Sequence, residues 1–170
     1  VLHITTEEEL KLFQPENPRI TAEACVHHLW FEDQSYSTLG SLIKCNPAIK
    51  KASDRDAIRQ AVKDGRISIL ATDHAPHTWE EKQETYFNAP SGLPLIQHSL
   101  LLMLEMCEQN CFSPELIVER ACHAPARLFQ VEDRGYLREG YWADIVVVNP
   151  AKNTQVKNSQ LYSKCGWSPF

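Results

Sequence analysis

The chain has 170 residues, 43% hydrophobic and 23% charged, with a formal net charge of -5 and a pI near 5.8. That is enough for one domain with a real core, and the composition is that of a soluble globular protein and not a disordered one. The acidic balance and scattered lysines and arginines exclude a nucleic-acid or anionic-membrane surface, and no apolar run approaches the roughly 20 residues of a membrane span. Six cysteines without a Cys-x-x-Cys pair read as reduced thiols of a cytoplasmic protein, because a core of this size needs no disulfide staples. Acidic Glu7-Glu8-Glu9 follows the first residues at once, the wrong charge for a secretory leader. The chain opens within a strand-like run and closes abruptly on "KCGWSPF", so both ends look cut.

In chain order, Val1 to Thr5 predicts a strand, and Thr6 with Glu9 three positions on predicts a capped helix to about Phe13. Asn17-Pro18 breaks it. Ile20 to Val26 alternates as a second strand that ends in His27-His28. A connection from Leu29 to Lys51 follows, long enough to suggest function. Ser53, with Asp56 at the third position, predicts a helix whose inward stripe is Ala57, Ile58, Ala61 and Val62 and whose cap is Gly65. Ile67 to Thr72 is a continuous apolar run, the pattern of a parallel strand buried on both faces. A second long loop spans Asp73 to Pro94. Leu95 to Glu108 predicts an apolar helix, and Ser113-Pro114 opens another. Ala143 to Pro150 is β-branched and predicts a strand ended by proline. The alternation before Phe129 is that of an α/β parallel sheet, and the last piece reads as a small β module beside it.

Catalytic groups in parallel α/β folds collect at the carboxyl ends of strands. Here His3 lies on the first strand, Glu23, His27 and His28 on or after the second, and Asp73, His74 and His77 end the third. Singly, each has a structural explanation: His98 and His123 read as packing, Asp73 could cap a helix, and only one of His27 and His28 faces a site if both are extended. Jointly they converge. Imidazole with carboxylate suits zinc or a similar divalent ion, which makes hydroxide available at neutral pH, and Asp73 could accept a proton and pass it to a leaving nitrogen. Only His3 and Asp73 stand out as metal ligands, fewer than the four that zinc takes.

The strings "HITTEEEL", "TAEACVHHLWF", "KCNPAIK", "ATDHAPHTWEEK", "APSGLPLIQHSL" and "GYWADIVVVNP" occur in the order found in dihydroorotases of the amidohydrolase superfamily, the class related to allantoinases and hydantoinases. The resemblance runs over essentially the whole chain. "TDHAPH" followed by Glu-Glu-Lys is specific to dihydroorotase-like proteins, whereas "GYWADIVVV" is shared more widely.

The resemblance implies a metal-dependent (β/α)8 TIM barrel, of which residues 1–130 would supply about strands six to eight and residues 131–170 the start of a small C-terminal β-sandwich. It implies that His3 and Asp73 bind metal, that Asp73 is also the catalytic general base, and that Asn46, His77, Ser91 and Gly92 bind substrate. It implies zinc, two ions in the complete enzyme, and reversible hydrolysis of dihydroorotate to N-carbamoyl-aspartate in pyrimidine biosynthesis. A homo-oligomer is expected, with aspartate transcarbamoylase as a candidate partner. His27 and His28 resemble the family's "PHHL" pair with Val26 in place of proline, and no metal role is carried to them. His74 is read either as a support behind the reacting groups or as structural. The family's His-x-His, its bridging residue and its strand-five histidine have no counterpart in these 170 residues, which points to a portion of a longer polypeptide or to a barrel assembled from two chains. Alternatives are a hydantoinase or allantoinase, and a non-catalytic dihydroorotase-like scaffold.

Overall fold

A computed structural model describes residues 1–17 and 19–170; Pro18, half of the predicted Asn17-Pro18 break, lies outside them. The framework is a parallel pair of short strands, β1 (Glu23–Cys25) and β2 (Ile69–Ala71), in register Glu23 to Ile69, Ala24 to Leu70 and Cys25 to Ala71. Between them run α1 (Val26–Trp30), α2 (Tyr36–Leu39) and α3 (Ala52–Asp64), a right order for a crossover that returns the chain parallel. After β2 come α4 (Trp79–Lys82), α5 (Ser99–Glu108), α6 (Pro114–Val118), a π-turn at Glu119–His123 and α7 (Ala124–Leu128).

The predicted first strand is present only as an irregular edge. The Glu23 amide donates to Val1 O (3.0 Å) and the Ile4 amide to Glu23 O (2.9 Å), one residue more than a regular parallel ladder places between those groups. The surplus residue is absorbed where His3 turns to a φ of 56°, so the segment bulges. Beyond it the Thr6/Glu9 cap forms as expected: the Glu9 carboxylate accepts from the Thr6 amide (2.9 Å) while Thr6 Oγ1 accepts from the Glu9 amide (3.3 Å). The turn that follows is a single 3-10 turn at Glu9–Leu12 and not an α-helix to Phe13.

Three other expectations shift. α3 begins at Ala52, with Ser53 already inside it; its amino end is held by Asp54, whose Oδ1 accepts from the Glu7 amide (3.0 Å), a favourable place for a carboxylate. Its buried face, Ile58, Ala61 and Val62, and its left-handed Gly65 cap (φ 92°) are as read. The predicted helix from Leu95 starts at Ser99, and the amides of Leu95 and Ile96 that precede it bond to the His74 ring. Ala143 to Pro150 is not a strand: no neighbouring chain pairs with it among the described residues, and Ile145, Val146 and Val147 are 60%, 72% and 91% exposed. β-branched residues favour a strand only where a partner satisfies the backbone and packs the side chains. Among the described residues no sandwich is formed and no helix is long and apolar enough to cross a membrane.

Two apolar clusters hold the framework. The larger joins Ile4, Leu10, Ala24, Val26 and Leu29 to the inner faces of α3, α5 and α6. The smaller packs Phe31, Ile43, Cys45 and Ile49 against Leu93 and Leu95, under the loops that follow the strands, and Phe170 stacks on Phe31 with ring centroids 5.5 Å apart. The six cysteines are unpaired.

Candidate active site

The irregular edge brings His3 over the carboxyl end of β1, where its Nδ1 lies 2.9 Å from Glu23 Oε1 and 3.0 Å from Cys25 Sγ. Glu23 and Cys25 alternate with Ala24 along the strand, so both point to the same side. His3 Nε2 faces Asp73, 3.8 Å from its Oδ1. Asp73 ends β2 with a φ of 48°. Two non-glycine residues in the left-handed region, facing one another across the end of β1 from the segments that flank it, store strain that a site and not a core would retain.

An acceptor oxygen on Nδ1 selects the tautomer in which that nitrogen carries the proton, leaving the Nε2 lone pair turned toward Asp73. A carboxylate behind a histidine is the usual support of a metal-ligating imidazole. Nε2 and Oδ1 at 3.8 Å are spaced to share an ion about 2 Å from each, so this donor set fits a divalent cation. His3, Glu23 and Cys25 offer donor atoms all within 4.8 Å of one another, as do Cys25, His27 and His28. Burial, with the Glu23 charge next, pushes the Cys25 thiol well above its ordinary range, so Cys25 stands beside His3 as a protonated thiol.

His27 and His28 lie in α1 and not at the end of an extended strand. Both are buried, with ring centroids 4.0 Å apart. His28 Nε2 sits 2.9 Å from Pro47 O, while neither nitrogen of His27 meets a hydrogen-bond partner among the described residues. Burial holds His27 far below the usual imidazole range and brings His28 down to about 4. Each is therefore neutral when folded and would be protonated first in the unfolded chain. Their contribution is fully present above about pH 6.5 and is lost as pH falls toward 4; for His28 alone the shift is worth about 3 kcal/mol. Urea unfolding at pH 7, 5.5 and 4.5 should show this fall, and His28→Gln should flatten it.

The loop after β2 folds back on the site. His74 Nδ1 accepts the amides of Leu95 (2.9 Å) and Ile96 (3.1 Å), a structural role as read. His77 Nε2 lies 3.0 Å from Ser91 O. The Ala75 amide donates to Leu93 O at 3.0 Å. Gly92 passes so close that an added Cβ would lie 2.5 Å from Ala75 O and 3.1 Å from the His77 ring, and its φ is 139°. Asp73, His77, Ser91 and Gly92 are thus brought to one loop cluster. Asn46 is exposed at the head of a cis Asn46-Pro47 bond, two residues after Lys44, whose carbonyl accepts the Gly92 amide (2.9 Å).

Sequence reasoning placed Glu23 in the polar cluster without singling it out, and took Cys25 only as a reduced thiol. Their i, i+2 spacing in a strand is the signal that puts both on the face of His3. His98 and His123 pack as expected, His98 against Ser168 Oγ (3.3 Å) and His123 stacked on Tyr136 (4.2 Å).

A family model described as the amidohydrolase family matches residues 3–163. A dihydroorotase of Halobacterium salinarum is 35% identical over 150 residues, covering 88% of this chain and 36% of that protein. A dihydroorotase of Methanothermobacter thermautotrophicus is 31% identical over 170 residues, covering 100% of this chain and 39% of that protein. Among solved structures, L-hydantoinase from Arthrobacter aurescens superposes with a TM-score of 0.94 at 27% identity, over 100% of this chain and 40% of that one. The chain therefore spans about two fifths of the length of the relatives it matches.

Proposed function

We propose, from the premise that this chain belongs to the amidohydrolase family, that it carries the proton-transfer and substrate-binding half of a cyclic-amide hydrolase acting on dihydroorotate. The observation that carries the reading is the pairing of His3 Nε2 with Asp73 Oδ1 at 3.8 Å, with Glu23 fixing the far nitrogen of the imidazole. The dihydroorotase names of the relatives at 31–36% identity support the substrate, in preference to hydantoin. The superposition on an L-hydantoinase supports a cyclic amide as the class.

In this reading His3 and Asp73 hold zinc, with further ligands and a second ion supplied from outside these residues. Bound there, zinc supplies a nucleophile derived from water at neutral pH and polarises the ring carbonyl. Asp73 accepts a proton at its carboxylate and delivers it to the ring nitrogen as the amide bond breaks. His77, Asn46, Ser91 and the Gly92 backbone hold the ring and its carboxylate, and the apolar cluster beneath the loops keeps that frame from moving. Residues 1–130 would correspond to strands six to eight of a (β/α)8 barrel and residues 131–170 to the returning β-sandwich segment. A cytoplasmic place in pyrimidine biosynthesis and a homo-oligomeric state belong to the same proposal.

The test is a side-by-side assay on dihydroorotate, hydantoin and allantoin of the zinc-loaded enzyme in which this chain is joined to the residues that supply the further ligands. Dihydroorotate should be preferred by at least about a hundredfold in kcat/KM, since a site built around a ring carboxylate leaves charge unpaired with the other two. Preference for hydantoin overturns the substrate assignment. Zinc bound without turnover of any of the three favours a scaffold.

A further inference from the structure

Lys82 closes the Glu-Glu-Lys run that follows the strand-end motif, and the proposed reaction makes no use of it. It is fully buried, at 0% exposure, a position that lysine takes only when its charge is compensated. The compensation is three backbone carbonyls: Nζ donates to Lys44 O (3.2 Å), Pro90 O (2.9 Å) and Gly92 O (3.0 Å). An ammonium has three protons and no lone pair, so every donor is used. Trp167 lies over the same group, 5.9 Å from Nζ to the ring centroid. Ser41 Oγ donates to Lys82 O at 2.6 Å, pinning the backbone from which the side chain starts. On the outer side of the same segment, Lys44 Nζ donates to Tyr86 O (2.7 Å) and Ala89 O (2.6 Å).

We propose that Lys82 is a positioning residue: its ammonium gathers the Lys44, Pro90 and Gly92 carbonyls around one point and so sets the Ser91-Gly92 loop and the Asn46 turn against the Asp73 to His77 segment. What the loop then binds rests on the cyclic-amide reading; what the lysine holds does not. Lysine suits the place because three carbonyls converging from different directions match a tetrahedral ammonium, whereas the planar fork of arginine aims its protons in one plane. Removing the ammonium leaves Pro90 O and Gly92 O short of a donor and Lys44 O with the Gly92 amide alone, so the two loops keep a single backbone tie and lose their shared anchor on Lys82.

The protonation state bears on this. Burial draws the Lys82 ammonium down to about 8, and the Lys44 charge works in the same direction. Cys45, pushed up to about 12 by burial, remains a thiol throughout. A neutral amine would offer two donors to three carbonyls and turn its lone pair on one of them. Affinity for substrate should therefore weaken as pH rises through about 8.

The experiment compares the zinc-loaded enzyme, with the further metal ligands present, with its Lys82→Met and Lys82→Gln variants, reading kcat and KM for dihydroorotate, bound zinc, and amide hydrogen exchange at Ala75 and Gly92. Expected for Lys82→Met are a KM raised roughly tenfold or more with kcat within about threefold, unchanged zinc, and faster exchange at both amides. The rise of KM above pH 8 expected in the parent should be absent from the variant. A KM and exchange rates equal to the parent overturn the proposal, and so does an equal loss of kcat and zinc without a KM effect. If Lys82→Met does not fold, Lys82→Gln and the pH dependence of exchange in the parent, corrected for the intrinsic rate, decide in the same way. If the parent turns over no cyclic amide, the functional reading falls while the exchange data still judge Lys82.

Discussion

Asp73→Asn is expected to lower kcat by roughly a hundredfold to ten-thousandfold, the range for loss of a positioned general base, while changing unfolding free energy by less than about 1 kcal/mol. Both halves follow from the local structure. The carboxylate faces His3 Nε2 at 3.8 Å from the end of β2, so an amide there has the right shape but no affinity for a proton. The backbone, at a φ of 48°, is a conformation that asparagine tolerates nearly as well as aspartate, so the fold is undisturbed. Steady-state assays with matched zinc content, together with urea unfolding, check the two parts separately. Turnover near that of the parent would remove Asp73 from the mechanism. Asp73→Ala is the poorer probe, because alanine in the left-handed region adds strain of about 1 kcal/mol or more.

Gly92→Ala should act through packing and backbone together. A Cβ at this position would meet Ala75 O at 2.5 Å and Ala75 Cβ at 2.7 Å, both on the segment that follows Asp73, and the φ of 139° is one that only glycine adopts freely. Neither neighbour is the free end of a flexible side chain, so the loop must move. A loss of about 2 to 3 kcal/mol is expected, seen as a fall in Tm of about 5 to 10 °C for a chain of this size. In assays, a higher KM should accompany it, since the displaced segment carries Ser91 and faces His77. Thermal unfolding and KM measured on the same preparation would check this; an unchanged Tm would mean that the close approach is relieved at no cost.

Local chemistry made much of this legible in the sequence. Thr6 and Glu9 cap one another, Gly65 ends α3 in a left-handed turn, and Ser113 caps α6 by accepting the Leu116 amide at 3.2 Å, because each of these depends on residues three or four apart. The meeting of His3 with Asp73 was readable at one remove, as polar groups at strand ends, although the two segments turn out to flank β1 and not to pair with one another. What was not readable depends on contacts distant in sequence. Lys82 lies in the second long loop, and its buried place depends on Lys44 and Gly92, 38 residues before it and 10 after. The run from Ala143 to Val148 misled for the opposite reason: strand propensity expresses the fit to a pleated neighbour, and composition does not say where that neighbour comes from. α5 begins four residues later than its apolar run, and the amides of Leu95 and Ile96 ahead of it are taken up by the ring of His74, a contact 21 residues away in sequence that the run does not announce.

The left-handed backbone at both His3 and Asp73 also bears on how such a protein drifts under mutation. At a φ of 56° and 48° the residues tolerated with least strain are glycine, asparagine, aspartate and histidine. Selection for folding alone would keep both positions within that small set. Of its members, asparagine and glycine fit the backbone at Asp73 and are fatal to the proposed chemistry, whereas at His3 they would also strip the buried Glu23 carboxylate of its partner. A lineage released from its catalytic duty could therefore lose activity in a single step without passing through an unstable intermediate, and its descendants would keep the architecture intact.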